Sequence, residues 1–247
     1  MTDKSNRSLA LEGTNEVLFQ VKDGVAWLTF NRPQKANALS LPLLTAFVQA
    51  LADAGKRDEV RAVVITGAGE RTFSAGADLS RPAENAEAYL TQRRAQFAAS
   101  LNALLDFRKP VIAAVNGAAC GAGMMFALLC DAVVASDAAR FSLPEINKGL
   151  PALPGVAIVK DRYGSALASD LVLSGRWMTA NEAHARGLVK EVVPQGDLAA
   201  AAQKVALALG AYDALAFAAN KQLLNSTLRT DLAAALETSA QFHGHAG

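Results

Sequence analysis

KPVIAAVNGAACGAGMMFALLCDAVVAS, residues 109–136, places two apolar runs around a glycine-rich middle. Residues 111–130 carry no charge over a length that would cross a bilayer, so a membrane span is the first reading to test. Asn116 and several glycines interrupt the run, and its character changes from β-branched VIAAV to helix-favouring MMFALLC. A buried strand at 110–115, a glycine loop, a buried helix at 121–130 and a second strand, DAVVAS (131–136), account for the segment better. That alternation is the mark of an α/β protein.

The neighbouring sequence fits the same class. EVLFQV (16–21) and VAWLTF (25–30) flank Lys22-Asp23-Gly24, and Asp-Gly favours a tight hairpin turn. Ser40 followed by Pro42 opens an amphipathic helix reaching about Ala54, and RAVVITG (61–67) reads as a buried strand. A charged helix is expected over roughly 84–107. ARFSLPE (139–145) is a short strand running into a turn at Pro144. Thr179 and Glu182 form a capping box for a helix ending at Gly187, and LVKEVVP (188–194) is a further strand. From Leu198 onward the alanine-rich sequence is helical, with breaks expected near Gly210 and Thr230.

Composition narrows the function classes. The chain has 247 residues, 51% apolar and 19% charged, with 24 basic against 23 acidic side chains. That share of apolar residues excludes intrinsic disorder, and near-neutral charge without a basic stripe argues against nucleic acid as a partner. Cys120 and Cys130 read as reduced, buried thiols of a cytoplasmic protein, and no metal-ligand spacing is present. Residues 1–8 lack the apolar stretch of a secretory signal and read as part of a loose tail. No P-loop, G-x-S-x-G or H-E-x-x-H motif occurs, and Gly121-Ala122-Gly123 lacks the third glycine of a dinucleotide fingerprint. His184, His243 and His245 read as surface side chains.

Two glycine-containing loops between strand and helix remain, FSAGADL (73–79) and NGAACGAGMM (116–125). Small residues there let the backbone approach a ligand, and the second loop opens a helix whose free N–H groups point outward. Together they could give two N–H donors to one oxygen. Tight turns and close packing would equally use such glycines.

NRPQKANAL (31–39), FSAGADL, the 109–136 segment and FSLPEINKG (141–149) occur in an order that resembles the crotonase superfamily, the enoyl-CoA hydratase/isomerase family, over about residues 16–230. The resemblance implies a crotonase-like spiral of ββα units over 16–195 behind a flexible tail at 1–15. It also implies a helical C-terminal region over 196–247 that assembles a homotrimer or a dimer of trimers, and an acyl-CoA thioester as substrate. Coenzyme A arrives with that substrate, so no separate cofactor is implied.

By position, the family's oxyanion hole falls on the backbone N–H groups of Ala77 and Ala122, and its second catalytic glutamate on Glu145. Lys35, Ala36, Ala38, Ala75, Asp78 and Leu79 fall where relatives grip the nucleotide. The sequence departs from the hydratase pattern at Met125, which stands where the first glutamate belongs and cannot exchange a proton. A single carboxylate suffices for a 1,3-proton shift, so the resemblance favours a Δ3,Δ2-enoyl-CoA isomerase type, with Met125 packing on the acyl chain. Glu145 beside an apolar pocket is expected to have a raised pKa.

The alternatives are a hydratase that recruits another acid, Glu84 or Glu87, and a catalytically inactive acyl-CoA-binding scaffold. LPALPGVAIVKDRYG (150–164) replaces the family's usual glycine-rich run, which makes Leu150, Leu153 and Val156 candidates for acyl contact. The chain also stops before most of the family's last helical stretch, where further CoA contacts are expected.

Overall fold

A computed structural model describes residues 8–9, 15–80 and 84–242. Its strands are β1 (Ser8–Leu9), β2 (Val17–Lys22), β3 (Val25–Phe30), β4 (Ala62–Gly67), β5 (Thr72–Ser74), β6 (Val111–Val115), β7 (Ala118–Cys120), β8 (Ala132–Ser136), β9 (Arg140–Ser142), β10 (Met178–Thr179) and β11 (Glu191–Val193). The helices are α1 (Leu41–Lys56), α2 (Ala86–Asp106), α3 (Ala122–Leu129), α4 (Leu153–Tyr163), α5 (Ser165–Ser174), α6 (Ala180–Ala185), α7 (Leu198–Leu209), α8 (Ala214–Leu224) and α9 (Ser226–Phe242).

Seven strands form the large sheet in the order β1-β2-β3-β4-β6-β8-β11, and a small sheet runs β10-β9-β7-β5. The β2–β3 hairpin turns at Asp23 and Gly24, both at positive φ, as an Asp-Gly turn requires. From β3 to β11 the large-sheet neighbours are parallel. Each turn of the spiral leaves a long strand of the large sheet, adds a short strand to the small sheet and returns through a helix: β4–β5–α2, β6–β7–α3, β8–β9–α4. The result is a spiral of ββα units with a helical C-terminal region.

Burial on both faces explains why the long strands are continuous apolar runs. Val63, Ile65, Ala113 and Val115 belong to the main core with α1 and α3, whereas Ala62, Val64, Ile112 and Ala114 pack with Leu198, Ala202 and Val205 of α7. The main core is aromatic at its centre, where Phe30 meets Phe47, Phe73 and Phe126 edge-on. Among the described residues no helix is long and apolar enough to cross a membrane.

Three expectations need correction. The tail expected over 1–15 is in part a strand, because Ser8 and Leu9 pair with Gln20 and Phe19, while 1–7 and 10–14 lie outside the described residues. The helix break expected near Thr230 falls at Asn225, and Thr230 lies inside α9. Asn225 holds that break through tertiary bonds, donating from Nδ2 to Leu105 O and accepting from Arg162 at Oδ1. Cys120 is half-buried rather than buried, while Cys130 is buried, and both are free thiols.

Candidate active site

The carboxyl ends of three adjacent parallel strands of the small sheet build the site. β7 lies between β5 and β9, so the loops that follow the three strands open side by side although they are far apart in sequence. β5 delivers Ala75, Gly76 and Ala77, β7 delivers Gly121 and Ala122, and β9 delivers Glu145 on a short 3-10 turn, Pro144–Lys148. They border one cavity of about 600 Å³.

The first loop is held by the NRPQKANAL segment. Ala75 N–H donates to Ala36 O, Leu39 N–H to Gly76 O and Asp78 N–H to Leu39 O. Asn37, fully buried, accepts from Arg32 N–H at Oδ1 and donates from Nδ2 to Ala68 O and Thr72 O. Ser74 donates its hydroxyl to Asn37 O and accepts from Gly76 N–H. These bonds leave Ala77 N–H without a protein acceptor among the described residues. Ala122, the first residue of α3, keeps a free N–H for the usual reason at a helix start. The loops touch at Gly76, where φ is +92° and an added Cβ would meet Cys120 O at 2.7 Å and Ala122 N at 3.3 Å.

Glu145 faces this pair of loops. Its Oε2 is buried with no hydrogen-bond partner, and its Oε1 lies against Gly121. Burial pushes its carboxyl above the ordinary glutamate range, partly offset by a backbone hydrogen bond and the charge of Lys148. The Cys120 thiol also borders the cavity, and burial and the neighbouring Glu145 charge both raise its pKa.

Of the residues singled out from sequence, Glu145, Ala77, Ala122, Ala75, Leu79, Met125 and Leu150 line the cavity. Lys35, Ala36, Ala38 and Asp78 do not. Lys35 is exposed at the end of a 3-10 turn, and Ala36 and Ala38 sit on the segment that braces the first loop. Asp78 is 6% exposed and engaged internally with Arg32, at 2.7 Å, and with Ser80 N–H. Burial opposes ionisation of Asp78, but these hydrogen bonds outweigh it and hold its carboxyl below the usual value. Arg32 is also paired with Glu16 at 3.2 Å, which makes this corner a brace for the loop.

Leu153 and Val156 lie off the cavity, whose floor is completed by Pro151, Ala152 and Pro154. Glu84 and Glu87 are exposed near the start of α2 and are not among the residues that line the cavity. The other lining carboxylate is Glu237, brought by α9, which folds back over α4. Arg94 of α2 also lines the cavity. Sequence reading missed both, because nothing local shows that α9 returns to the mouth or which face α2 turns inward. His184 bonds Val189 O through Nδ1 and is remote from the site, while His243 and His245 lie outside the described residues. No three side chains of metal-ligating type cluster among the described residues.

Known proteins resemble this chain over nearly its whole length. Residues 20–247 match the family model described as enoyl-CoA hydratase/isomerase. The 2,3-dehydroadipyl-CoA hydratase of Escherichia coli K12 is 41% identical over 229 residues, covering 92% of this chain and 88% of the relative. A crystal structure of an enoyl-CoA hydratase from Mycobacterium avium subsp. paratuberculosis superposes with a TM-score of 0.84 at 32% identity, over 96% of this chain and 95% of that one. An enoyl-CoA hydratase structure from Bacillus anthracis gives 0.81 at 29% identity, over 93% and 90%.

Proposed function

The chain belongs to the enoyl-CoA hydratase/isomerase family, and we propose that within it the protein moves a double bond in an acyl-CoA thioester, with Glu145 as the only proton carrier. The observation that carries the reading is the buried, unpartnered Oε2 of Glu145 beside two free backbone N–H groups, in a cavity that Met125 also lines.

In this reading the thioester oxygen accepts from Ala77 and Ala122 N–H. Glu145 takes a proton from the α-carbon of a 3-enoyl thioester, and the electrons move onto the oxygen as an enolate. The two N–H groups are aimed at that developing charge, and one such donor is worth about 3 kcal/mol of transition-state stabilisation. Glu145 then returns the proton to the γ-carbon, leaving the conjugated 2-enoyl thioester. No other acid is needed, since the base becomes the acid for the second half. Coenzyme A enters with the substrate and no further cofactor is invoked.

A second reading, hydration of a 2-enoyl thioester, is favoured by the hydratase names of the relatives and by Glu237 on the cavity wall. The two part in one assay. Purified protein is offered 3-enoyl-CoA and, separately, 2-enoyl-CoA in deuterated water, and products are followed by mass and ultraviolet absorbance. Conjugation of the 3-enoyl ester that disappears in Glu145→Gln supports the isomerase, and rapid water addition to the 2-enoyl ester overturns it. Binding without turnover or exchange would point to an inactive scaffold.

The reading includes a trimer or a dimer of trimers. Its support is the row of exposed leucines on α8, where Leu215, Leu223 and Leu224 are 70%, 77% and 76% accessible.

A further inference from the structure

Resting on that acyl-CoA reading, we propose that the site accepts acyl chains ending in a carboxylate, and that Arg94 is the residue that receives it. α2 lines the cavity with Leu90, Ala95, Phe97 and Ala98 together with Arg93 and Arg94, so two arginines stand in an otherwise apolar wall, and Leu90, Arg94 and Ala98 follow at intervals of four on one face. Phe97 stacks on Phe126 at 6.3 Å, which anchors this wall to the core.

Arg94 is half-buried and makes no hydrogen bond or ion pair among the described residues. Its neighbour Arg93 also borders the cavity but donates to Asp78 O. Neither cavity carboxylate, Glu145 nor Glu237, forms an ion pair with Arg94, and Lys148 is the lining cation whose charge is felt at Glu145. Arg94 is therefore a cation on the cavity wall, partly withdrawn from water and without an ion pair among the described residues.

Withdrawing a guanidinium from water without a partner is unfavourable, and its planar fork of donors matches a carboxylate in two parallel hydrogen bonds. Leu90 and Ala98, one turn to either side on α2, offer methylene contact to the chain leading to that carboxylate. The missing counter-charge is thus supplied by the far end of the ligand.

A phosphate of coenzyme A offers related anionic chemistry, so the test holds coenzyme A constant. Calorimetry compares hexanoyl-CoA with the mono-CoA thioester of hexanedioic acid, both saturated and therefore not turned over. The expected result is at least about tenfold tighter binding of the dicarboxylic ester, as a charge-assisted bidentate pair gives. That ratio falls to about one in Arg94→Met and stays intermediate in Arg94→Lys, with thermal melting confirming that both variants fold.

A wild-type ratio near one overturns the proposal. So does an unchanged ratio in Arg94→Met, or a parallel loss of affinity for free coenzyme A, which would place Arg94 on a phosphate. Failure of the isomerase assay with the affinity ratio intact counts against the double-bond shift alone.

Discussion

Gly121 and Glu145 meet so closely that a methyl group on Gly121 would stand 2.9 Å from Glu145 Oε1. Gly121 also has φ +52° and ψ −123°, and its N–H donates to Ser142 O at 2.8 Å. The residue that precedes α3 therefore also packs directly against the carboxylate. Gly121→Ala is expected to lower kcat/KM about a hundredfold, the scale of a misplacement near 1 Å at reacting groups. A variant within twofold of wild type would remove Gly121 from this positioning role.

Glu145 should show its burial in two pH profiles of opposite benefit. Its raised pKa means the ionised base forms only above the ordinary glutamate range of ~4.3, so the acid limb of kcat/KM should inflect above that value. For stability the sign reverses. A carboxyl whose pKa is raised by folding favours the folded state fully below its unfolded pKa, and that contribution is lost as pH rises through the folded value. Glu145→Gln should melt higher than wild type at pH 7–8, with the difference vanishing near pH 4. A less stable Gln variant at pH 7 would contradict the desolvation account.

The sequence made the large sheet legible because strands buried on both faces must be apolar throughout, as VIAAV and AVVITG are. The short strands β5 and β7 were not, since three residues such as Ala118–Cys120 carry no period of their own and are strands only through pairing. Ala77, Ala122 and Glu145 were singled out from their loops and from resemblance, but their meeting point depends on the neighbour order of β5, β7 and β9. Arg94 and Glu237 escaped notice because tertiary docking alone brings them to the cavity. Thr230 lies inside α9, whereas Asn225 ends the preceding helix through bonds to Arg162 and Leu105, which no local pattern shows.

Lys221 ties α8 to the sheet. Its ammonium is 2.7 Å from Asp131 Oδ2, which also accepts Val111 N–H, and Lys221 is 5% exposed. Removing one partner strands the other charge in low dielectric, at a cost of about 3 kcal/mol. Lys221→Met should lose that much in urea denaturation, and the double variant Lys221→Met/Asp131→Leu should recover part of it. A single variant within ~0.5 kcal/mol of wild type would make the pair energetically silent.

On α8 the inward side chains are Ala218 and Lys221, leaving Leu215, Leu223 and Leu224 outward. Buried against sister chains, each leucine contributes about 2 kcal/mol. Leu223→Asp with Leu224→Asp should convert a trimeric mass in light scattering to that of one chain. A wild-type protein already running as one chain would sink the assembly.

Met125 offers a direct test of what separates proton shift from hydration. It is 4% exposed in the first turn of α3 and borders the same cavity as Glu145. Met125→Glu would place a second carboxyl there, where the helix N-terminus favours negative charge and Glu145 opposes it. One of the two should stay protonated at neutral pH and act as acid while the other activates water, which general acid–base catalysis rewards by about a hundredfold. Water addition to 2-enoyl-CoA should therefore rise sharply while isomerisation falls, with a stability loss of about 2 kcal/mol from the buried polar group. If wild type already hydrates at the variant's rate, the second acid is present without residue 125, and Glu237→Gln becomes the substitution that must abolish it.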